Sequence, residues 1–326
     1  MQRRAVLIGA GGALGAALAR PGLAQEAWPK EPVRLIVPFA AGGPTDIPAR
    51  LFADRMSQAL PQRVVVENRT GAGVVVGTDV VAKAPKDGQT LLYSTIAHSV
   101  LRALFPRLPF DPVKDLQPVG LLGVIPMILL VNKDLPAQDL PGLVKLFREN
   151  PGRYDYGSSG NGGAVHLATE LFLRRAGDLQ VNHIPYRGSA AAMPDLLSGR
   201  LAMFMDVAAG ALPYAKRGEA RALGVSADRR LPQMPELPTF AEGGVKDAES
   251  YTWHMVFVPA GTPAGTVQAI NAALNRAAAE PLVQQRLSDL TMTVRSDSTP
   301  ASATKWLNDE IAKWESIIHD AGIRID

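Results

Sequence analysis

Gly42, Gly43, Thr45 and Asp46 stand where an apolar, strand-like run gives way to an amphipathic helical pattern, in the segment VRLIVPFAAGGPTDIPARLFADRM at positions 33–56. Such a junction is suited to holding an anion. The two glycines let the backbone take unusual dihedrals and approach a ligand closely. Thr45 is placed to cap the helix, and Pro48 falls in its first turn, where a missing N–H does no harm. The unpaired amides of a helix start, together with the positive end of its dipole, attract a carboxylate or phosphate. The segment lacks the Gly-Lys-Ser/Thr ending of a nucleotide-binding P-loop and offers no obvious nucleophile. It reads as a holder of anions, with a plain glycine turn as the alternative.

Other chemistry-bearing patterns are thinner. Gly9, Gly11 and Gly15 have no strand before them and the wrong spacing for a dinucleotide fingerprint. Gly71, Gly73 and Gly77 follow a strand-like stretch at 63–67, and there the fingerprint reading stays open beside that of a glycine-rich turn. His183, His254 and His319 have no partners at metal spacing and no HExxH occurs, so neither a metal nor a cofactor is expected. The run Gly157-Ser158-Ser159-Gly160 is not the G-x-S-x-G elbow of a hydrolase, and no serine stands in an S-x-x-K setting with its companion motifs. A secreted hydrolase is therefore a minor alternative and no catalytic residue is assigned.

Positions 1–24 open with Arg3 and Arg4, continue through an apolar run at 5–18 and close on Gly22, Leu23 and Ala24. This is the layout of an export signal cut after Ala24, by the general or the twin-arginine route. The run is short for a membrane span, which needs about 20 residues, so a periplasmic protein is expected. Loss of Arg3, Arg4 and Arg20 would lower the 34 basic residues to 31, against 31 acidic ones. A neutral mature chain argues against nucleic acid or an anionic membrane as partner. Cysteine is absent, so stability outside the cytoplasm must come from packing.

The elements that position these residues alternate along nearly the whole chain. Strand-like runs fall at 34–39, 63–67, 90–94, 119–131, 154–158, 181–186, 201–206, 221–226 and 253–259. Several are apolar on consecutive positions, as strands covered on both faces are, which predicts an α/β protein with mainly parallel sheets. The remaining length of about 300 residues exceeds what one such core usually holds, which favours two domains. Leu307, Ile311, Trp314 and Ile318 form one helical stripe between Pro300 and Gly322, with Trp306 and Trp314 read as core; Val267, Ile270, Leu274 and Ala278 form another. No internal repeat, coiled coil or low-complexity tail is apparent.

Eight ordered segments together carry a resemblance: VPFAAGGPTD (37–46), VENRTGAG (66–73), APKDGQTLL (84–92), LPFDPVKD (108–115), YGSSGNG (156–162), PYRGS (185–189), PELPTF (235–240) and AGTP (260–263). The chain resembles the substrate-binding proteins of tripartite tricarboxylate transporters, the Bug family, over essentially all of its length after the leader. The resemblance implies a two-lobed periplasmic-binding-protein fold of the Venus flytrap type II, with 25–125 plus 251–326 as one lobe and 126–250 as the other. The stretches 119–131, interrupted by Pro126, and 251–258 would be the crossing strands. It also implies a small carboxylate ligand gripped by two strand-to-helix loops through backbone amides and bridging waters. The partner would be the membrane components of such a transporter, or alternatively a membrane sensor, and the receptor would act as a monomer.

Carried onto this chain, the first loop is 39–46, with Phe39, Ala40, Gly42, Gly43, Thr45 and Asp46; the second is 158–163, with Ser158, Ser159, Asn161 and Gly162. The second loop also makes physical sense, because its side-chain donors sit among glycines before a helix from Ala164. Ser189 would cap a third helix facing the cleft, and Asp206 would accept from a ligand donor or a water. Thr95 and Ala97 occupy a loop whose order, Thr95-Ile96-Ala97-His98, departs from the family's Ser-Thr-His-like turn. His166 matches a family histidine and reads as helix packing, while Arg187 stands where lysine is usual and reads as surface or hinge. VVVG at 74–77 and Ala190-Ala191-Ala192 also depart from the pattern, which suggests a ligand more apolar than citrate, such as a monocarboxylate or an aromatic acid.

Overall fold

A computed structural model describes residues 28–323; the export segment read at 1–24 lies outside the described residues. Ten strands join in one sheet: β1 (Val33–Val37), β2 (Val64–Asn68), β3 (Thr90–Thr95), β4 (Leu116–Asn132), β5 (Asp155–Ser158), β6 (Asn182–Pro185), β7 (Met203–Val207), β8 (Ala220–Val225), β9 (Tyr251–Pro259) and β10 (Thr293–Val294). Nine coincide with the apolar runs read from the sequence. The tenth is too short to leave a periodic trace. The helices are α1 (Asp46–Ala59), α2 (Val75–Ala82), α3 (Leu101–Leu104), α4 (Leu140–Glu149), α5 (Ala164–Arg175), α6 (Ser189–Leu197), α7 (Ala208–Lys216), α8 (Ala264–Ala279), α9 (Pro281–Asp289) and α10 (Pro300–Ala321).

The long strand β4 organises the sheet. From Leu116 to Pro126 it pairs with β9, and from Met127 onward it pairs with β7 on one edge and β8 on the other. Pro126, which has no N–H to give a ladder, sits at the change of partners. Next to it, Met127 donates its amide to Ser226 Oγ (2.8 Å) and accepts from the Ser226 amide (2.9 Å). The strand order β2-β1-β3-β9-β4 on one side of this point is matched by β6-β5-β7-β4-β8 on the other. Each half therefore lays down its second, first and third strands, then the strand entering from the other half, then its fourth. This repeat of topology has no counterpart in residue periodicity.

The outer strands of each half are parallel, as their apolar runs predicted. The central pairings β3–β9, β4–β9, β4–β7 and β4–β8 are antiparallel. The sheet is thus mixed, because the chain passes between halves once in each direction, a feature that apolar runs alone do not encode.

The two helical stripes lie where the spacing put them. Val267, Ile270, Leu274 and Ala278 of α8 are buried beside Phe52 and Met56 of α1 on one face of the sheet. On the opposite face Leu307, Trp314 and Ile318 of α10 are buried against Trp253 and Met255, with Ile311 at the edge. Trp314 and Trp253 both donate their indole N–H to the buried carboxylate of Glu310, at 2.8 and 2.9 Å. Trp306 is half-buried and packs against the edge of this cluster, its ring 6.4 Å from that of Tyr251. Helix α10 opens with a capping box, in which Thr299 accepts from the Ser302 amide and the Ser302 hydroxyl closes on the Thr299 amide; it ends at Gly322, φ +63°. Thr299→Ala should cost about 1 kcal/mol, read as a lower urea midpoint with an unchanged slope, and Thr299→Ser should restore it.

Candidate functional site

Strand direction decides which loops meet. Strands β1 and β3 run antiparallel to β9, which in turn runs antiparallel to β4, so their C-terminal ends point along β4 toward the second half. Strands β5 and β7 run against β4 and point back toward the first half. The loops that follow these four strands face one another across the change of partners in β4.

In the first loop, Gly42 takes φ +76° and donates its amide to Asp46 Oδ2 (2.8 Å). Asp46 is almost fully buried, and its carboxylate also accepts from Arg50 Nε (2.7 Å) and Asn68 Nδ2 (2.8 Å). Asn68 donates further to the Phe39 carbonyl (2.9 Å). Burial pushes the Asp46 carboxyl up, but the hydrogen bonds from Arg50, Asn68 and the Gly42 amide together hold it below the ordinary range. Asp46 therefore ties the loop to β2. Thr45 is buried with helical dihedrals and makes no capping bond, contrary to its reading as a cap, because Asp46 already secures the turn. Gly43 closes the turn on the Ala40 carbonyl (3.3 Å), while the amides of Ala40, Ala41 and Thr45 find no acceptor among the described residues.

The second loop is held from behind by rings. Ser158 is fully buried; its Oγ lies 2.7 Å from His183 Nε2 and accepts from the Gly160 amide (3.1 Å). The Gly162 amide, φ +66°, donates to His166 Nδ1 (3.0 Å). His166 and His183 stack at 3.9 Å, and His183 stacks in turn on Tyr156 at 4.9 Å. Burial pushes His183 down, and burial with the neighbouring imidazole pushes His166 down to about 3, so the stack is uncharged near neutrality. His183, set aside in the sequence for want of metal partners, is thus a buttress of this loop. It lies 25 residues from Ser158 on an edge strand, and no local pattern signals the pairing. Ser159 is half-buried and Asn161 is exposed, and neither side chain has a partner among the described residues; the Ala164 amide at the helix start is equally free.

Ser189 is the first residue of α6, after Gly188 at φ +95°, and does not cap that helix. Its hydroxyl donates instead to Asp206 Oδ1 (2.7 Å), which also accepts from the Val207 amide (2.8 Å). Asp206 is buried, and burial pushes its carboxyl up to about 6, only partly offset by those two bonds. A Cβ at Gly210 would come within 2.6 Å of Asp206 Oδ2, so glycine is what leaves room for the carboxylate. Val207, next to it, packs against the same core cluster as Phe39 of the first loop.

Thr95 is buried at the end of β3, in register with His254. Ala97 shares a small apolar cluster with Phe39. His98 is scaffold: its Nε2 lies 2.9 Å from the Pro112 carbonyl and its ring packs on Phe257 at 4.3 Å. Arg187 is exposed. Phe39, Ala97 and Val207 thus draw the first loop, the β3 turn and the Asp206 strand end together. Ala164 joins the second loop to the core of the first half.

A profile described as the tripartite tricarboxylate transporter family receptor matches residues 48–323. The chain belongs to that family. A relative from Pseudomonas sp. strain P51, the UPF0065 protein in the tcbD-tcbE intergenic region, is 38% identical over 90% of this chain and 87% of its own. Among solved structures, Rpa4515 of R. palustris with adipate is 33% identical with a TM-score of 0.76, covering 92% of this chain and all of that one. MatC from Rhodopseudomonas palustris with bound malate is 32% identical with a TM-score of 0.74, covering 89% of this chain and all of that one. The tripartite tricarboxylate receptors are solute-binding proteins of the two-lobed periplasmic fold, and this member is a receptor and not an enzyme. No helix among its described residues is long and apolar enough to cross a membrane.

Proposed function

We propose that the chain, exported and cleaved after Ala24, captures a small mono- or dicarboxylate in the periplasm and presents it, as a monomer, to the membrane components of a tripartite tricarboxylate transporter. The lobes are 25–125 with 251–326, and 126–250, and ligand binding favours their closure. What supports this reading is the pair of opposed loops, 39–46 and 158–163, in which several backbone amides and the Ser159 and Asn161 side chains have no partner among the described residues. Such donors hold an anion without an arginine. Solved relatives with adipate and with malate support the ligand class. Val76, exposed in the segment that departs from the family pattern, supports a ligand more apolar than citrate.

The test is a thermal-shift panel of mono-, di- and tricarboxylates, aromatic acids included, on refolded protein stripped of carried ligand. An acid present at 100 times its dissociation constant adds about 2.7 kcal/mol, a shift of several degrees. A response to one acid class with citrate weaker is the expected result. Silence across the whole panel would remove the carboxylate reading.

A further inference from the structure

Beneath the first loop the sheet holds two buried polar atoms with no hydrogen-bond partner among the described residues. Side chains alternate along a strand. Tyr93 shares its face with Leu91 and Thr95, and His254 shares its face with Val256 and Val258; the registers Tyr93↔Val256 and Thr95↔His254 put all of them on one face. Helix α1 covers that face, and its first turn is where the first loop ends. Phe39 and Val207 pack on the same cluster, so the cleft end of this face lies between the first loop and the strand end that carries Asp206.

Tyr93 is fully buried and His254 is 1% exposed. Neither Tyr93 Oη nor His254 Nδ1 has a hydrogen-bond partner among the described residues, and the two rings stand 5.6 Å apart at 58°. Buried polar groups are nearly always paired, by protein, by water or by a ligand. Phenylalanine would fill the Tyr93 space without the penalty, so the retained hydroxyl calls for an occupant. Burial keeps both groups neutral, raising Tyr93 and lowering His254 to about 4. A phenol O–H, which can donate and accept, and an uncharged imidazole, whose Nδ1 donates or accepts according to its tautomer, can serve an oxygen group such as a hydroxyl or a carboxyl.

We propose that Tyr93 and His254 form the floor of the carboxylate site and read a second oxygen group of the ligand, a hydroxyl or a distal carboxyl, directly or through one bound water. This rests on the carboxylate reading above. The pair sets which acids are preferred, while the two loops hold the carboxylate that all of them share.

The test compares wild type, Tyr93→Phe and His254→Phe by calorimetric titration with malate, succinate and butyrate. Tyr93→Phe removes one oxygen and nothing else, so it should fold even where the histidine variant does not. Malate or succinate should bind Tyr93→Phe about tenfold more weakly, with butyrate unchanged and the ligand-free melting temperature no lower. Unchanged affinity for both malate and succinate overturns the assignment. An equal loss for all three acids overturns it too, because the pair would then only support the loop. A wild type that binds none of the acids fails the carboxylate reading itself, and the pair falls with it.

Discussion

Replacing Asp46 with alanine should lower the stability of the fold by about 2–3 kcal/mol and weaken carboxylate binding by about tenfold or more. The carboxylate is 1% exposed and is the acceptor for the Gly42 amide, the Asn68 side-chain amide and Arg50. Truncation leaves the Gly42 and Asn68 donors without an acceptor, at about 1 kcal/mol each or more. Arg50 is half-exposed and returns to water, so its lost ion pair adds little. Asn68 also holds the Phe39 carbonyl, so losing the Asp46 acceptor frees the Gly42 end of the loop and loosens the residue that fixes its Phe39 end. Asp46→Asn keeps one acceptor oxygen and should show an intermediate loss. Urea denaturation reads the first effect and ligand titration the second. Wild-type stability in the alanine variant would mean that the loop is held by something other than this knot.

The same residue gives the fold an acid limit. The folded-state pKa of Asp46 is depressed by its three donors. Its contribution is therefore complete above the unfolded carboxylate value of about 3.9 and is lost as pH falls through the lower folded value.

Most of the scaffold was legible because it rests on local rules. Nine strands announced themselves as apolar runs, and α10 was bounded by Pro300 and Gly322 on propensity alone. Side-chain direction was not legible. Thr45 and Asp46 stand in a strand-to-helix junction where either could serve as cap or ligand. The bonds that Asp46 makes come from Arg50 one turn on and Asn68 on the next strand. Ser189 was read as a cap from its place before a helical run, but Asp206, 17 residues away, takes its hydroxyl. The buttress of His166 and His183 behind the second loop depends on β5 and β6 pairing in parallel, a contact that no short-range spacing encodes. The mixed centre of the sheet was hidden for a related reason: a strand buried on both faces looks the same whether its neighbours run with it or against it.

Asp206→Asn should stabilise the ligand-free protein by about 3 kcal/mol at pH 7 and leave it unchanged below pH 4. The folded pKa of about 6 lies above the ordinary carboxylate value because burial disfavours the charge. Below about 3.9 the group is neutral in both folded and unfolded chains and has no effect on stability. As pH rises from there to 6 the unfolded chain releases its proton first, so stability falls; above 6 the penalty is complete and constant. Asparagine keeps an oxygen to accept from the Ser189 hydroxyl and the Val207 amide. It removes only the charge, so the two stability curves should separate across that window. Binding should follow the same proton. An anion brought beside Asp206 raises its pKa further, so uptake of a carboxylate draws in a proton, and affinity should fall by up to about tenfold per pH unit above 6 in wild type but stay flat in Asp206→Asn. Titrations between pH 5 and 8 decide the matter. An affinity that is level or rising with pH in wild type would show that the ligand anion does not sit beside Asp206, and the site would then lie closer to the two glycine loops alone.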